Sequence, residues 1–457
     1  MLDRKILDMK DEIIQSIQKC VQIKSVEEGS KGNMPFGEGV YKALEYSLKL
    51  SENLGFNTVN LDNMIGYAEY GQGDEMVAVL GHLDVVPEGD GWKYPPYGGE
   101  IHGGKIYGRG TTDDKGPTIG AIYALKAIKD LNIPLNKRVR IIFGTNEETG
   151  SNCVKHYVKK GEEIPVAGFT PDSEYPIING EKGIVTSKYK KVLDSKGDLI
   201  LKSIRGGIAP NVVPDYAEAL IKGEKQKINS IKMLKDKYKD IVIEEKDNEI
   251  LIKSYGISAH GSTPHKGKNA IMNLILFLND IDFSLDTNEF LCFMKEYIGL
   301  NTDGKSLGIN LQDEVSGSFI FNLGTIIGNE EEIAIEMNMR YPVTKKFEDF
   351  IDIFKEKMEI GRLQEVYTRH KHSLYVSPDS EFIKKLQKVY EEKTGEKAEL
   401  ICIGGGTYAK AMDNIVAFGP VFKGQPKVEH QPNEYIEIDS LMKSIQIMAA
   451  AICELAK

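Results

Sequence analysis

Seven imidazole and carboxylate side chains of this chain have the chemistry of metal ligands and of a general base. Sites that hold two metals about 3.5–4 Å apart need imidazoles, terminal carboxylates, one bridging carboxylate and a base that is not itself a ligand. Imidazole nitrogen and carboxylate oxygen serve several divalent metals. The set therefore indicates a two-metal hydrolytic centre. Its members are His82, Asp84, Asp113, Glu147, Glu148, Asp172 and His430.

The positions of these side chains support this interpretation, because several follow short apolar runs of strand length. His82 follows residues 76–80, Glu147 and Glu148 follow residues 139–145, and Asp172 follows residues 166–170. Reactive groups in open α/β sheets gather beyond the carboxyl ends of parallel strands. We therefore expect these side chains to converge in space. Asp84 is close enough to His82 to orient its imidazole from behind.

The elements that must position these residues alternate between strand and helix patterns. Residues 1–25, residues 39–54 and a segment starting near Lys115 have helical apolar spacing. Residues 100–102 and 105–107 flank a Gly-Gly pair and predict a hairpin. Further predicted strands are 58–61, 65–70, 184–189, 198–203, 249–255, 316–323, 333–340 and 415–419, and further predicted helices are 224–239, 269–278, 288–298, 346–358 and 380–394.

This alternation predicts an α/β fold with a mainly parallel mixed sheet flanked by helices. After Gly183 the pattern changes to that of an α+β segment, and the first pattern returns near Ser380. We expect a discontinuous catalytic domain formed by residues 1–184 and 381–457. Residues 185–380 would form an inserted lid domain.

Composition excludes several classes of protein. The chain has 457 residues, a length that predicts two domains. Its 41% hydrophobic and 28% charged residues are typical of ordinary globular proteins. Its net charge of -10 argues against a nucleic-acid partner, and no apolar run approaches the roughly 18 residues of a membrane span. No signal peptide is evident. The five scattered cysteines indicate reduced thiols and a cytoplasmic location.

Four motifs that occur in order carry a resemblance to a known family. The chain resembles the dizinc peptidase family of acetylornithine deacetylase, succinyl-diaminopimelate desuccinylase and carnosine dipeptidase. Within it, the bacterial dipeptidase V branch (Xaa-His dipeptidases) is the most similar. The resemblance covers essentially the whole chain, including the insertion. The motifs are Leu80-Gly81-His82-Leu83-Asp84-Val85-Val86-Pro87, Gly108-Arg109-Gly110 followed by Asp113-Asp114-Lys115-Gly116-Pro117, Thr145-Asn146-Glu147-Glu148-Thr149-Gly150 and Pro171-Asp172-Ser173-Glu174-Tyr175-Pro176.

The resemblance implies a set of metal ligands. Two divalent ions are implied, with zinc expected and manganese or cobalt as alternatives. One ion would be bound by His82, Asp113 and Asp172. The other would be bound by Asp113, Glu148 and His430, so that Asp113 bridges the two.

Other positions receive roles from the same resemblance. Glu147 would be the general base and later the proton donor to the leaving amine. Asp84 would hold the imidazole of His82, and the bond between Asp113 and Asp114 would be cis. An aspartate at position 172, where acyl-amino-acid and carboxypeptidase members carry glutamate, resembles the dipeptidase members.

The predicted lid resembles the family's lid in the residues that face substrate. His260, in Ser258-Ala259-His260-Gly261-Ser262-Thr263-Pro264, matches the histidine that stabilises the oxyanion. Asn211 and Arg340 match substrate contacts, and Arg340 suits a C-terminal carboxylate. The backbone N–H groups of Gly405 and Gly406 would assist. Because the dipeptidase V branch supplies the histidine from an enlarged lid of the same chain, we expect a monomer.

The resulting hypothesis is a metallodipeptidase that cleaves dipeptides and short peptides with a free N-terminal amine. An N-acyl-amino-acid deacylase or carboxypeptidase of the same family is the second hypothesis. The third is a non-catalytic, metal-stabilised binding protein. For single residues the alternatives are a loop-capping His260, a strand-end ion pair of Arg340 and a turn role for Asn211.

Overall fold

The computed structural model describes residues 1–194, 197–246 and 248–457 of the chain. The α-helices in this part of the chain are α1 Leu2–Asp8, α2 Lys10–Val21, α3 Glu38–Asn53, α4 Lys115–Asp130, α5 Asn152–Lys159, α6 Lys225–Leu234, α7 Ala270–Leu278, α8 Leu285–Phe293, α9 Ile351–Ile360, α10 Glu381–Thr394 and α11 Ile438–Leu455. None of these helices is both long and apolar enough to cross a membrane.

The strands of the described residues form several sheets. They are β1 Asn57–Leu61, β2 Ile65–Tyr70, β3 Met76–His82, β4 Glu100–His102, β5 Lys105–Tyr107, β6 Arg138–Gly144, β7 Ala167–Thr170, β8 Ser173–Glu174, β9 Ile177–Glu181, β10 Gly183–Val192, β11 Leu199–Gly206, β12 Val212–Val213, β13 Tyr216–Gly223, β14 Ile241–Lys246, β15 Glu249–Tyr255, β16 Ala259–His260, β17 Gln312–Asp313, β18 Gly317–Ser318, β19 Ile320–Asn329, β20 Glu332–Tyr341, β21 Gln364–Lys371, β22 Leu374–Tyr375, β23 Leu400–Ile403, β24 Ile415–Ala417, β25 Pro420–Val421 and β26 Tyr435–Glu437.

The chain divides into two compact units. The first unit contains Met1–Gly180, Tyr375–Cys402 and Gly406–Lys457, and the second contains Glu181–Leu374 and Ile403–Gly405. The first unit is therefore discontinuous in sequence. The second unit is formed by one long internal segment and three residues from later in the chain.

The main sheet of the first unit runs in the order β1-β2-β6-β3-β7-β24-β9, and the short strands β22 and β23 pair with β9. Its central strands β6, β3, β7 and β24 are parallel to one another, and β1, β2 and β9 are antiparallel to their neighbours. Buried residues of α2, α4 and α11 share the core with this sheet, including Ile13, Ile122 and Ile445. This arrangement confirms the predicted mixed sheet flanked by helices.

The ends of the elements correct the sequence prediction in two places. His82 is the last residue of β3 rather than a residue beyond it, and it lies opposite Gly144 of β6. The predicted helix 1–25 is two helices, because Met9 adopts φ -98° and its N–H bonds the carbonyl of Ile6. Met9 is buried, so the apolar pattern of the sequence continues through it although the helical backbone is interrupted there.

The second unit contains an antiparallel sheet in the order β14-β15-β13-β11-β19-β20-β10-β21. Helix α7, most of whose residues are buried, shares the core of this sheet. Strand β19 starts four residues later than the predicted 316–323, and α9 starts after Phe350, whose φ of -139° interrupts the predicted helix. The short strands β12 and β16 pair beside this sheet and place Val212 opposite His260.

Candidate metal centre

Parallel strands of the first unit bring the predicted ligands to one edge of its sheet. His82 ends β3, Glu148 lies in the turn after β6, and Asp172 follows β7. Asp113 precedes α4, and its peptide bond to Asp114 is cis, as expected. His430 lies in the segment before β26.

These residues form two groups that share Asp113. Potential ligand atoms of His82, Asp113 and Asp172 lie within 4.8 Å of one another, and so do those of Asp113, Glu148 and His430. Asp113 Oδ1 lies 2.9 Å from His82 Nε2, and Asp113 Oδ2 lies 3.0 Å from His430 Nε2. The two oxygens of one carboxylate therefore face two different imidazoles, which is the arrangement that a bridging ligand requires.

Buried polar atoms in these groups fit divalent metal ions. His82 Nε2, Asp113 Oδ1 and Glu148 Oε1 are buried and make no well-directed hydrogen bond. Buried polar atoms in proteins nearly always have a partner. A set of imidazole nitrogens and carboxylate oxygens suits zinc, manganese or cobalt. The residues present therefore fit the metals that the resemblance implies.

The electrostatics of the site also favour bound cations. Burial, and after it the nearby negative charge of Asp113, raises the pKa of Asp172 to about 6. Contacts with Asp113 and then with Glu148 raise the pKa of His430 to about 11. Burial, followed by the charge of Asp172, raises the pKa of Glu147 well above its usual range. Cations at this place would relieve the repulsion between the carboxylates.

Asp84 contacts both the His82 imidazole and the turn that carries Glu147 and Glu148, and the second contact was not predicted from the sequence. Its main-chain carbonyl oxygen lies 3.0 Å from His82 Nδ1, whereas its carboxylate is 3.5 Å from that nitrogen. The carboxylate instead accepts the backbone N–H groups of Glu147 and Glu148, at 3.1 Å and 3.0 Å. Asp84 therefore holds the imidazole through its main chain and the glutamate turn through its side chain.

Tyr408 is a contact residue that sequence reasoning missed. Its ring lies edge-on against the His82 imidazole, with centroids 5.7 Å apart, and its backbone N–H donates to Asp172 Oδ2 at 3.1 Å. A side chain at Gly144 would collide with the Tyr408 hydroxyl, so glycine is required there. The only signal in the sequence was a tyrosine two residues beyond a run of glycines.

Glu434 and Arg109 are two further residues of the site that were not predicted from the sequence. They form an ion pair of 2.8 Å, and their side chains are 0% and 2% exposed. Glu434 also accepts backbone N–H groups from the loop that carries Asp113. A signal was present, since Glu434 follows His430 by four residues and Arg109 lies between two glycines.

His260 lies within the second unit beside other predicted lid residues. The carbonyl of Asn211 accepts the N–H of Gly261 at 2.7 Å. His260 Nδ1 lies 3.2 Å from the backbone N–H of Ser262 and accepts from it. An imidazole that accepts at Nδ1 carries its proton on Nε2. Burial and then the charge of Arg340 lower the pKa of His260, which favours a neutral imidazole with Nε2–H free to donate.

Arg340 is a buried cation in the second unit, only 3% exposed. It donates to Asn338 Oδ1 at 3.0 Å and to the carbonyl of Gly404. In the described part of the chain its side-chain contacts are an amide and a carbonyl oxygen and no ion pair with a carboxylate is found, so the alternative of a strand-end ion pair is not observed. Burial lowers its pKa to about 10. An unpaired buried guanidinium favours an anion as its partner.

Gly405 and Gly406 lie on either side of the boundary between the two units. Among the described residues, a side chain at Gly405 would meet Ile403 Cδ1 alone, at an ordinary contact distance of 3.7 Å, so the space around its backbone is open. Asn211, His260, Arg340 and Gly405 thus belong to the second unit, and the predicted metal ligands and Gly406 belong to the first.

Comparison with known proteins identifies the family. The model of peptidase family M20/M25/M40 matches residues 78–454. A putative dipeptidase, YtjP, of Bacillus subtilis is 42% identical, with 99% of each chain covered, and a Beta-Ala-Xaa dipeptidase of Lactobacillus delbrueckii subsp. lactis is 36% identical, with 98% and 97% covered. The structure of human carnosine dipeptidase 1 is similar in fold, with a TM-score of 0.60, 16% identity and coverage of 100% and 98%. The chain is a member of the M20/M25/M40 peptidase family.

Proposed function

We propose that the protein is a metal-dependent dipeptidase that hydrolyses dipeptides and short peptides with a free N-terminal amine. The observation that carries the proposal is a pair of three-residue ligand groups that share Asp113 and leave Glu147 outside both. The names of its relatives in Bacillus subtilis and Lactobacillus delbrueckii support a dipeptide substrate.

The proposed cofactors are two divalent ions, with zinc as the expected metal. They would be held by His82, Asp113 and Asp172, and by Asp113, Glu148 and His430. Bound there, they would polarise the scissile carbonyl and make water acidic enough to lose a proton near neutral pH.

The chain's own residues would supply the remaining steps. Glu147 would accept a proton from the attacking water and later deliver it to the departing amine. His260 would donate its Nε2–H to the oxyanion that forms on the carbonyl. Arg340, assisted by Asn211 and the N–H of Gly405, would pair with the C-terminal carboxylate, because it is a buried cation without a carboxylate partner among the residues that the structure describes.

A substrate comparison tests this proposal against the alternatives. The purified protein is given zinc, manganese or cobalt and a panel of dipeptides, including β-alanyl ones, each with a free or acetylated amine. We expect the free-amine forms to have a kcat/KM at least about 100-fold higher, since a polar site rejects an analogue that cannot make its contacts. A chelator should abolish this hydrolysis. Preference for the acetylated forms would indicate a deacylase, and no metal-dependent hydrolysis would indicate a binding protein.

Asp84→Asn tests whether the Asp84 carboxylate holds the glutamate turn. An amide can accept only one of the two N–H groups of Glu147 and Glu148 and directs its own N–H₂ at the other. We expect a stability loss of about 1–3 kcal/mol in thermal unfolding and a kcat about 10–100-fold lower. Metal content should remain, because the main-chain carbonyl still holds His82.

Asp130→Asn is the matched control for this prediction. Asp130 pairs with Lys5 and Lys126 away from the candidate site, so its loss should leave kcat unchanged. Loss of metal from Asp84→Asn with unchanged kcat per bound metal would instead show that the carboxylate positions a ligand, His82 or Glu148.

A further inference from the structure

The Glu434 carboxylate is completely buried and is the anchor of the loop that carries Asp113. Its Oε1 accepts three backbone N–H groups, from Gly110 at 3.0 Å, Thr112 at 3.0 Å and Asp113 at 3.2 Å. Its Oε2 accepts from Arg109 Nη1 at 2.8 Å. Several backbone N–H groups aimed at one anion, with a guanidinium on its other oxygen, make a strong and directional contact.

The same residue belongs to the segment that carries His430. The main-chain carbonyl of Glu434 accepts the N–H of Gly108 at 2.9 Å. Arg109 Nη1 lies 3.3 Å from the carbonyl of Gln431, and it donates to that oxygen as well as to Glu434. The hydroxyl of Thr112 donates to the carbonyl of Tyr435 at 2.7 Å. Every one of these contacts joins the Asp113 loop to the His430 segment.

The two imidazoles differ in how firmly the fold holds them. His82 is 0% exposed, ends a central strand and is fixed at Nδ1 by the carbonyl of Asp84. The His430 side chain is 50% exposed, its backbone has a φ of +62°, and its Nε2 faces the carboxylates of Asp113 and Glu148. The position of His430 therefore depends on how its segment is attached to the rest of the unit.

We propose that Glu434 is a positioning residue that sets the distance between Asp113 and His430 and thereby the affinity of the ligand group Asp113, Glu148 and His430 for its metal ion. This inference rests on the proposed function, because it takes both ligand groups to be metal sites. The group His82, Asp113 and Asp172 depends less on Glu434, since strand ends hold two of its three members.

The proposal predicts a selective change in metal affinity for Glu434→Gln. This substitution keeps the side-chain volume but removes the charge that Arg109 and the three N–H groups face. Calorimetric titration of metal-free full-length protein with Co²⁺ or Zn²⁺ should resolve two binding events. We assign the weaker binding event to the group that contains His430, and we expect its affinity to fall about 10–100-fold. The affinity of the group that contains His82 should change by less than about threefold. The turnover lost at limiting metal should return when metal is in excess.

Glu69→Gln is the matched control. Glu69 accepts from Arg138 and Arg140 in the same unit but from no backbone group of the site loops. It should lower the melting temperature while leaving both metal affinities unchanged. If Glu434→Gln does not fold because Arg109 is left as an unpaired buried charge, Arg109→Gln combined with Glu434→Gln removes both charges, and the selective loss should appear there.

The outcomes separate the inference from the function on which it rests. Equal loss at both sites, or no loss at either, overturns the positioning role of Glu434. A wild-type protein that binds two ions but cleaves no dipeptide contradicts the proposed function. The positioning role of Glu434 is then still decided by comparing the two metal affinities of Glu434→Gln with those of the wild-type protein. A wild-type protein that binds fewer than two ions contradicts both.

Discussion

Replacing Glu147 with alanine is expected to lower kcat by about 10²–10⁴-fold while both metal ions remain bound. Glu147 lies outside the two ligand groups, so its removal takes away no ligand. Its backbone N–H is fixed by Asp84, and burial raises its carboxyl pKa well above the usual range, which favours the uptake of a proton from water. The measurement is kcat on a good dipeptide together with the metal content of the purified variant.

Glu148→Ala is the matched comparison, because its carboxylate is a member of the second ligand group. It should lose one ion, whereas Glu147→Ala should lose none. Retained turnover in Glu147→Ala would remove it from the role of general base. Loss of metal together with turnover would make it a ligand instead.

The second large effect is expected for His260→Ala, with a kcat about 10²–10³-fold lower. Because Nδ1 of this imidazole accepts from Ser262, the proton on Nε2 is available to an oxyanion. The contribution arises only when charge develops on the carbonyl, so KM should change far less than kcat. Steady-state kinetics with metal in excess measures both quantities.

His265→Ala controls for general damage to the same loop. His265 is exposed and lies five residues further along, so the substitution should leave kcat within the error of the wild-type value. An unchanged kcat for His260→Ala would exclude this residue from the reaction. A fall in metal content would point to a structural role.

The strand ends of the first unit could be predicted from sequence because burial there is continuous. Apolar runs placed β3, β6 and β7 within two residues of their observed bounds. In a parallel sheet these bounds determine which side chains lie at the same edge. The convergence of His82, Glu148 and Asp172 followed from this, whereas their roles as ligands stay predictions.

Other features depended on pairings that no local pattern records. Strand β13 reads Tyr-Ala-Glu-Ala-Leu-Ile-Lys-Gly, a sequence of good helix formers, and it is a strand because β11 and β15 pair with it on both sides. Strand β21 at the sheet edge is largely exposed and therefore has no apolar alternation. The contacts of Glu434 join residues 321 to 325 positions apart, so spacing alone could not reveal them.

The late position of strand β24 has a consequence for protein synthesis. This strand lies between β7 and β9 in the sheet, yet it comes from Ile415–Ala417, and His430 follows it. A ribosome synthesises the chain from its N-terminus, so the interior of the sheet and the second ligand group stay incomplete until the codon for His430 has been read. With the proposed function, a growing chain cannot hydrolyse peptides, and a message truncated before the codon for His430 yields an inactive product.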